Sequence, residues 1–155
     1  MNIALIMERI DTWRGGAETS TIQVANELAR LGCRVTILTT TTMPPTPTLS
    51  IVPIRANSAW HLSRTAAFAR RAAAYVSDHR FDIAHCITPC VAADVYQPRG
   101  GTVPEMLERN LAMRAGSLRR GFKHIGQRIR WKYRVLARLE RRLLTRPSPP
   151  WVIAI

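Results

Sequence analysis

A strand–helix–strand pattern at the start of the chain constrains its fold more than any other feature. Ile3 to Met7 is an apolar run of strand length, Ala17 to Leu31 has apolar residues at helical spacing, and Arg34 to Thr39 is rich in β-branched residues. A βαβ unit completed within about 40 residues predicts a parallel sheet with a right-handed crossover. We therefore expect an α/β fold in which helices flank a parallel sheet.

The loop between the first strand and the first helix ends in Gly15-Gly16. Glycine lets the backbone approach another group closely, and the first turn of a helix offers unpaired N–H groups at its positive end. One interpretation is a phosphate or sugar-phosphate site at this pair. The other is that two glycines merely turn the chain into the helix.

Further strands and helices alternate along the rest of the chain, after a Thr/Pro linker from Thr39 to Thr48. The predicted strands are Ser50–Ile54, Asp82–Ile87, Ala93–Pro98 and Trp151–Ile155, and the predicted helices are Ala59–His79, Thr102–Arg109 and Leu118–Thr145. The last strand is apolar, so we expect it to be buried. A chain that stops within such a strand looks cut off, because natural ends tend to be polar and exposed.

A second glycine pair, Gly100-Gly101, follows the strand that Pro98 closes. Ligands in open α/β sheets bind outside the carboxyl ends of the strands. We expect both glycine pairs to lie at that edge.

Composition limits the class of protein. A chain of 155 residues that is 46% hydrophobic suits one domain with a real core, over residues 1–155. No run reaches the ~18 apolar residues of a membrane span, and we see no signal peptide. The odd set of three cysteines, Cys33, Cys86 and Cys90, indicates a reducing compartment, so we expect a cytoplasmic protein.

The charge is placed unevenly. Residues 1–108 carry ten Lys/Arg against nine Asp/Glu, whereas residues 109–155 carry thirteen against one, Glu140. The net charge of +13 therefore belongs almost entirely to the last third of the chain. Such asymmetry indicates an anionic partner, which could be a membrane surface, a nucleic acid or a phosphorylated substrate.

The predicted basic helix combines an apolar seam with arginine on its other faces. The seam consists of Leu118, Phe122, Ile125, Ile129, Leu136, Leu139 and Leu143. One interpretation is a solvated charged face. The other is contact with an anionic membrane surface through Arg128, Arg130, Arg134 and Arg138, either with the seam in the interface or with the seam packed on the sheet.

Two sets of residues were weighed for other chemistry. His85, Cys86 and Cys90 fall short of a zinc pattern because no fourth ligand is nearby, and buried strand cysteines are the favoured interpretation. His61, at the start of the second helix, could contact a substrate or simply face solvent. We assign no metal.

The motifs together resemble a known family. The first strand, then Arg14-Gly15-Gly16-Ala17-Glu18, the helix, and Leu31-Gly32-Cys33-Arg34-Val35-Thr36 are similar to the acceptor-side domain of family 4 glycosyltransferases. The stretch Asp94 to Gly101 resembles the lipopolysaccharide core glucosyltransferase branch. The resemblance covers nearly all of the chain.

This resemblance implies one half of a GT-B fold, in which two Rossmann-like domains face a cleft. It implies retaining transfer of a sugar from a nucleotide-sugar to a saccharide or lipid-linked acceptor, in cell-envelope glycan synthesis and without a metal or other cofactor. The second domain, which holds the nucleotide in the family, is not encoded here. We therefore expect a gene fragment, a truncated product or one part of a split enzyme. In each case we expect the chain to be inactive alone, and a split enzyme would be completed by a separate donor-domain chain.

The resemblance also places substrate-binding residues, although no catalytic residue can be assigned. Gly15 and Gly16 match the loop near the donor diphosphate and the acceptor, and Glu18 matches the acidic residue after it. On the acceptor side it places Asp94, Arg99, Gly100 and Gly101, with His61 as a further candidate. Arg99 stands where many relatives have histidine, and arginine suits an anionic acceptor.

Three other functions were considered. Nucleic-acid binding depends on the same arginines but lacks interleaved exposed aromatics and a recognisable module, so we expect no nucleic-acid partner. A dinucleotide-dependent oxidoreductase would need a G-x-G-x-x-G fingerprint, which the first loop lacks. A non-catalytic subunit that pairs with a separate donor domain is the third.

Overall fold

The computed structural model of the protein describes residues 1–10, 16–41, 46–56, 61–99, 101–114 and 123–153. For residues 61–63, 107, 110–114 and 123–132, only the backbone is considered. The strands are β1 (Asn2–Ile6), β2 (Arg34–Thr39), β3 (Leu49–Pro53), β4 (Ile83–Cys86), β5 (Val95–Tyr96) and β6 (Trp151–Val152). The helices are α1 (Gly16–Arg30), α2 (His61–Asp78), α3 (Val103–Arg114) and α4 (Lys123–Leu144).

All six strands pair in parallel, in the order β3-β2-β1-β4-β5-β6. The chain first builds the sheet outward from β1 to β3, then returns to the other side of β1 and continues to β6. This confirms the predicted Rossmann-like parallel sheet. The reversal creates a crevice between the carboxyl ends of β1 and β4, which is where open α/β sheets bind ligands.

Alternating side chains of the central strands build a core on each face of the sheet. Leu5 and Ile37 pack with Ala25 of α1 on one face, while Ile6 and Leu38 pack with Phe68 of α2 on the other. All six of these residues are fully buried. Burial on both faces is the reason that β1 reads as a nearly continuous apolar run.

Helix α3 begins with a capping box. Glu105 accepts hydrogen bonds from the backbone N (2.8 Å) and the hydroxyl (3.0 Å) of Thr102, the residue before the helix. These bonds lower the pKa of Glu105. The helix predicted over Thr102–Arg109 is present and extends five residues further, to Arg114.

The prediction of a buried last strand is wrong. β6 is a two-residue edge strand, and the side chains of Trp151 and Val152 are 83% and 53% exposed. Its pairing partner β5 is equally short, and no helix covers the outer edge within the part of the chain described. The segment leading into β6 is fastened by Arg146, whose guanidinium donates to the carbonyl oxygens of Val91 and Ala93.

Candidate functional site

A pocket of about 330 Å³ lies at the carboxyl ends of β1 and β4. Segments following three neighbouring strands line it, together with residues of α1, α3 and α4. The lining includes two carboxylates and two guanidinium groups as well as apolar side chains, and its charged residues are Glu8, Arg9, Glu18 and Arg99. A mixed lining of this kind suits a ligand that carries both hydroxyl groups and charge.

Arg99 is held against the first turns of α1. One terminal nitrogen donates to the Ser20 hydroxyl at 2.5 Å, and the other lies 3.4 Å from the Thr21 hydroxyl and 3.3 Å from the Gln97 side-chain oxygen. Its Nε is buried with no hydrogen-bond partner among the residues described. The guanidinium is thus positioned by neutral oxygen atoms and keeps its full charge.

Behind Arg99 lies a buried polar pair, Gln97 and His85, which are 5% and 8% exposed. The two side chains are neighbours, but the Nε2 atom of His85 is buried with no hydrogen-bond partner among the described residues. Burial lowers the pKa of His85, the neighbouring Gln97 side chain opposes this, and the positive charge of Arg99 lowers the pKa further. His85 is therefore neutral at pH 7, which is compatible with a guanidinium nearby.

Glu8 follows β1 and is oriented by contacts on several sides. Both of its carboxylate oxygens lie within 2.9 Å of the Thr65 hydroxyl on α2. Its backbone N donates to the Thr88 hydroxyl after β4 (2.9 Å), and its carbonyl accepts from the backbone N of Thr40 after β2 (2.9 Å). The carboxylate is therefore held on the α2 side of the crevice.

The α3–α4 wall of the pocket is joined to the sheet through the buried carboxylate of Glu140, which is 4% exposed. It accepts a 2.6 Å hydrogen bond from the Tyr96 hydroxyl on β5, and its oxygens lie 3.1 and 3.3 Å from the backbone N of Val103, the first residue of α3. Tyr96, Val103 and Leu136 line the pocket. One carboxylate therefore fixes three lining elements relative to one another.

Residues 14–154 match the family model of Glycosyltransferase Family 4. The chain belongs to this family. Its fold is similar to the structure entitled crystal structure of WaaG, a glycosyltransferase involved in lipopolysaccharide biosynthesis, with a TM-score of 0.73 and 16% identity. The similarity covers 97% of this chain and 37% of the WaaG chain, so the chain spans well under half the length of that structure. No curated protein sequence matches.

The glycines of this family 4 domain differ in what they are needed for. Gly101 has φ +95°, and a Cβ there would lie 2.7 Å from the Glu105 carboxylate, so its own fold requires glycine. Gly16 begins α1, is exposed, and would place a Cβ in open space. Gly15 and Gly100 lie outside the described residues.

The structure brings some of the predicted substrate-binding residues together and leaves one elsewhere. Glu18, Arg99 and Gly101 line the pocket. Asp94 precedes β5, at the amino end of the strand, where its carboxylate accepts a 2.8 Å hydrogen bond from the backbone N of Ala84. It does not reach the pocket at the carboxyl edge. His61 begins α2, and its side chain is outside the described part.

The buried cysteine interpretation is confirmed for Cys86 and Cys90, which are fully buried in the core beneath α2. Burial raises the pKa of both thiols. No group of three or more possible metal ligands occurs in the described ranges.

In the described half of α4, two residues of the predicted seam face the protein. Leu143 is fully buried in the core, and Leu136 lines the pocket. Arg134 and Arg138 are exposed, whereas the side chains of Arg128 and Arg130 lie outside the described residues. The seam of this part of α4 therefore packs on the protein and presents charge outward. No helix described here is both long and apolar enough to cross a membrane.

Sequence reasoning missed three residues of the site: Glu8, Gln97 and Glu140. A usable signal existed for Glu140, because it lies four residues after Leu136 and three before Leu143, on the apolar face of a basic helix. An acid at such a position needs a buried partner. Glu8 lies two residues after β1, and Gln97 directly follows β5. Both positions are at the edge of the sheet where ligands bind, and this placement could have indicated a role in the site.

Proposed function

We propose that this domain supplies the acceptor side of a retaining, metal-independent glycosyltransferase that moves a sugar from a nucleotide-sugar to a saccharide or lipid-linked acceptor in cell-envelope glycan synthesis. The match to glycosyltransferase family 4 over residues 14–154 supports transfer of a sugar. The observation that carries the acceptor role is the pocket at the β1–β4 crevice, where carboxylates and guanidinium groups line one cavity.

The chemistry of the pocket supports a sugar ligand. Carboxylate oxygens accept hydrogen bonds from sugar hydroxyls, and guanidinium groups donate to sugar oxygens or to anionic substituents. The apolar lining, which includes Ile87, Pro98 and Met106, offers a surface for the less polar face of a sugar ring.

We propose further that transfer needs a donor-binding domain in addition to this one. This domain covers 37% of the WaaG chain, a glycosyltransferase of similar fold over the shared part. The nucleotide would then be held by the second domain, and turnover by the described domain alone would be absent or slight.

The test is a transfer assay with a panel of radiolabelled nucleotide-sugars and a lipopolysaccharide-core acceptor. Product should form when a donor-binding domain is joined to the chain or added to it, and not with the chain alone. EDTA should leave the rate unchanged, and the product anomer should match the donor anomer. Robust transfer by the chain alone, dependence on metal, or inversion would each contradict the corresponding part of the proposal.

A second proposal is peripheral attachment to an anionic membrane on the cytoplasmic side. α4 carries eight Lys/Arg residues and one acid, and its described arginines at 134 and 138 are exposed. Because the seam residues Leu136 and Leu143 face the protein, the contact would be electrostatic rather than insertion of a seam. Such a surface would bring the pocket close to lipid-linked acceptors.

A further inference from the structure

We infer that the pocket is built for a phosphorylated sugar acceptor, with Glu8 taking sugar hydroxyls and Arg99 taking the phosphate. This inference deepens the proposed function and rests on it. The inference follows from the helices that anchor the two side chains, from the hydrogen bonds that these side chains already form, and from the hydrogen-bonding capacity that remains for a ligand.

The two groups are anchored to opposite faces of the sheet. The Glu8 carboxylate is bonded to Thr65 on α2, and the Arg99 guanidinium is bonded to Ser20 and Thr21 on α1. The two helices cover different faces, yet both charged residues line the same pocket. A ligand in the crevice therefore meets the Glu8 carboxylate on the α2 side and the Arg99 guanidinium on the α1 side, with Arg9 and Glu18 also in the lining.

Arg99 has an uncompensated charge. Its partners are two hydroxyls and an amide oxygen, and it forms no ion pair with any residue that the structure describes. Its Nε donor is buried without a partner there. Because that atom is inaccessible, a ligand in the pocket that Arg99 lines would meet the terminal nitrogens instead, and an anion there would supply the missing negative charge.

Gln97 acts as a positioning residue for this cation. Its side-chain oxygen accepts a 3.3 Å hydrogen bond from Arg99, and Gln97 is itself buried, so a guanidinium that could swing toward solvent is tied to the buried sheet. No carboxylate takes part in this arrangement among the described residues. The network therefore orients Arg99 without neutralising it, as a site for an external anion requires.

Glu8 is satisfied only in part. A carboxylate has about four lone-pair positions, and the Thr65 hydroxyl is the single donor to the Glu8 side chain from the described residues. Neighbouring hydroxyls of a sugar ring are suitable donors for the remaining positions. A phosphate could not take this side, because two anions would repel each other.

Phosphate near a sugar could come from the acceptor or from the diphosphate of the donor, and the test must separate these sources. Glucose 6-phosphate, glucose, inorganic phosphate and uridine diphosphate are titrated into the ¹⁵N-labelled chain while the backbone amide signals are followed. The variants are Arg99→Gln, Arg99→Lys and Glu8→Gln, with Arg138→Gln, an exposed arginine outside the pocket, as the matched control.

We expect glucose 6-phosphate to bind about tenfold or more tightly than glucose, because charge-assisted hydrogen bonds exceed neutral ones. Arg99→Gln should reduce that ratio to about one, and Arg99→Lys should retain part of it. Glu8→Gln should weaken both sugars alike and leave the ratio unchanged. Arg138→Gln should match the wild type, and amide spectra report whether each variant is folded.

Equal affinity for the two sugars, absence of binding by all four probes, or a phosphate preference that survives Arg99→Gln would overturn the inference. The inference would also be overturned if Arg99→Gln weakened the binding of uridine diphosphate and of no other probe. Arg99 would then bind the diphosphate of the donor and not a phosphate of the acceptor. None of these results decides the proposed function, which stands or falls with the transfer assay.

Discussion

The Tyr96 hydroxyl and the Glu140 carboxylate, 44 residues apart in sequence, meet in a buried 2.6 Å hydrogen bond between β5 and α4. Burial raises the pKa of Tyr96, and the hydrogen bond and charge of Glu140 raise it further. The hydroxyl therefore stays protonated and remains a donor. Because the same carboxylate accepts from the backbone of Val103, this pair links the sheet to both helices of one pocket wall.

Replacing Glu140 by Ala should lower the free energy of unfolding by about 2–4 kcal/mol, because two buried donors lose their acceptor. Glu140→Gln should cost less, since the amide keeps one accepting oxygen. Urea denaturation measures both. Glu108→Ala, at an exposed position on α3, is the control and should change stability by about 0.5 kcal/mol or less. Equal effects of Glu140→Ala and Glu108→Ala would show that the buried bonds contribute nothing.

Alanine at Gly16 and Gly101, the described members of the two glycine pairs, should separate a structural role from a role in ligand binding. Gly101→Ala should destabilise by about 1–2 kcal/mol, because φ is positive and the Cβ would crowd Glu105. Gly16→Ala should leave stability unchanged or raise it by up to about 1 kcal/mol, since alanine favours helix.

Ligand binding should respond differently at Gly16. If the start of α1 approaches the ligand closely, Gly16→Ala weakens sugar-phosphate binding while thermal unfolding stays at or above the wild-type midpoint. Unchanged binding would favour the simpler interpretation that the glycine only turns the chain into the helix.

His85 should make stability depend on pH. Burial holds the pKa of His85 in the folded state below its ordinary value of 6.5, so the unfolded chain takes up a proton first as the pH falls. The stability contributed by neutral His85 is therefore present above pH 6.5 and is lost progressively below it, down to the lower folded-state pKa. Urea titrations of the wild type and His85→Leu between pH 7.5 and 5 measure the effect. As the pH falls, the free energy of unfolding of the wild type should decrease relative to that of His85→Leu. A difference between the two free energies that stays constant with pH would contradict this.

Membrane contact should depend on the arginines of α4. A variant in which Arg128, Arg130, Arg134 and Arg138 are all replaced by Gln should bind phosphatidylglycerol vesicles at least tenfold more weakly in a sedimentation assay. The reason is that each basic residue near an anionic surface contributes about 1 kcal/mol to the binding free energy. Binding should also fall as salt rises. The matched control replaces four exposed arginines outside α4, namely Arg34, Arg55, Arg70 and Arg80. Equal losses in both variants would indicate attraction by net charge alone, and tighter binding to duplex DNA than to vesicles would favour a nucleic-acid partner.

The helices and central strands could be predicted because their signals are local. β2 was predicted with its observed bounds, and α1 and β3 to within one residue at each end, since apolar periodicity and β-branched content depend on near neighbours. For Trp151–Val152, the apolar pattern correctly predicted a strand but wrongly predicted that it is buried. An apolar run indicates strand, but burial depends on whether another layer covers the edge, which no local pattern encodes.

The sequence by itself determined the parallel α/β architecture, the family resemblance and the concentration of positive charge in the last third of the chain. Only the tertiary structure decided which side chains meet: Glu8 with Thr65 across 57 residues, Arg99 with Ser20 across 79, and Tyr96 with Glu140. It also places Asp94 at the amino end of β5, outside the pocket, and packs Leu136 and Leu143 of the α4 seam against the protein. Periodicity fixes which face of an element is apolar, whereas pairing of polar groups depends on strand order and helix packing, which bring distant segments to one edge of the sheet.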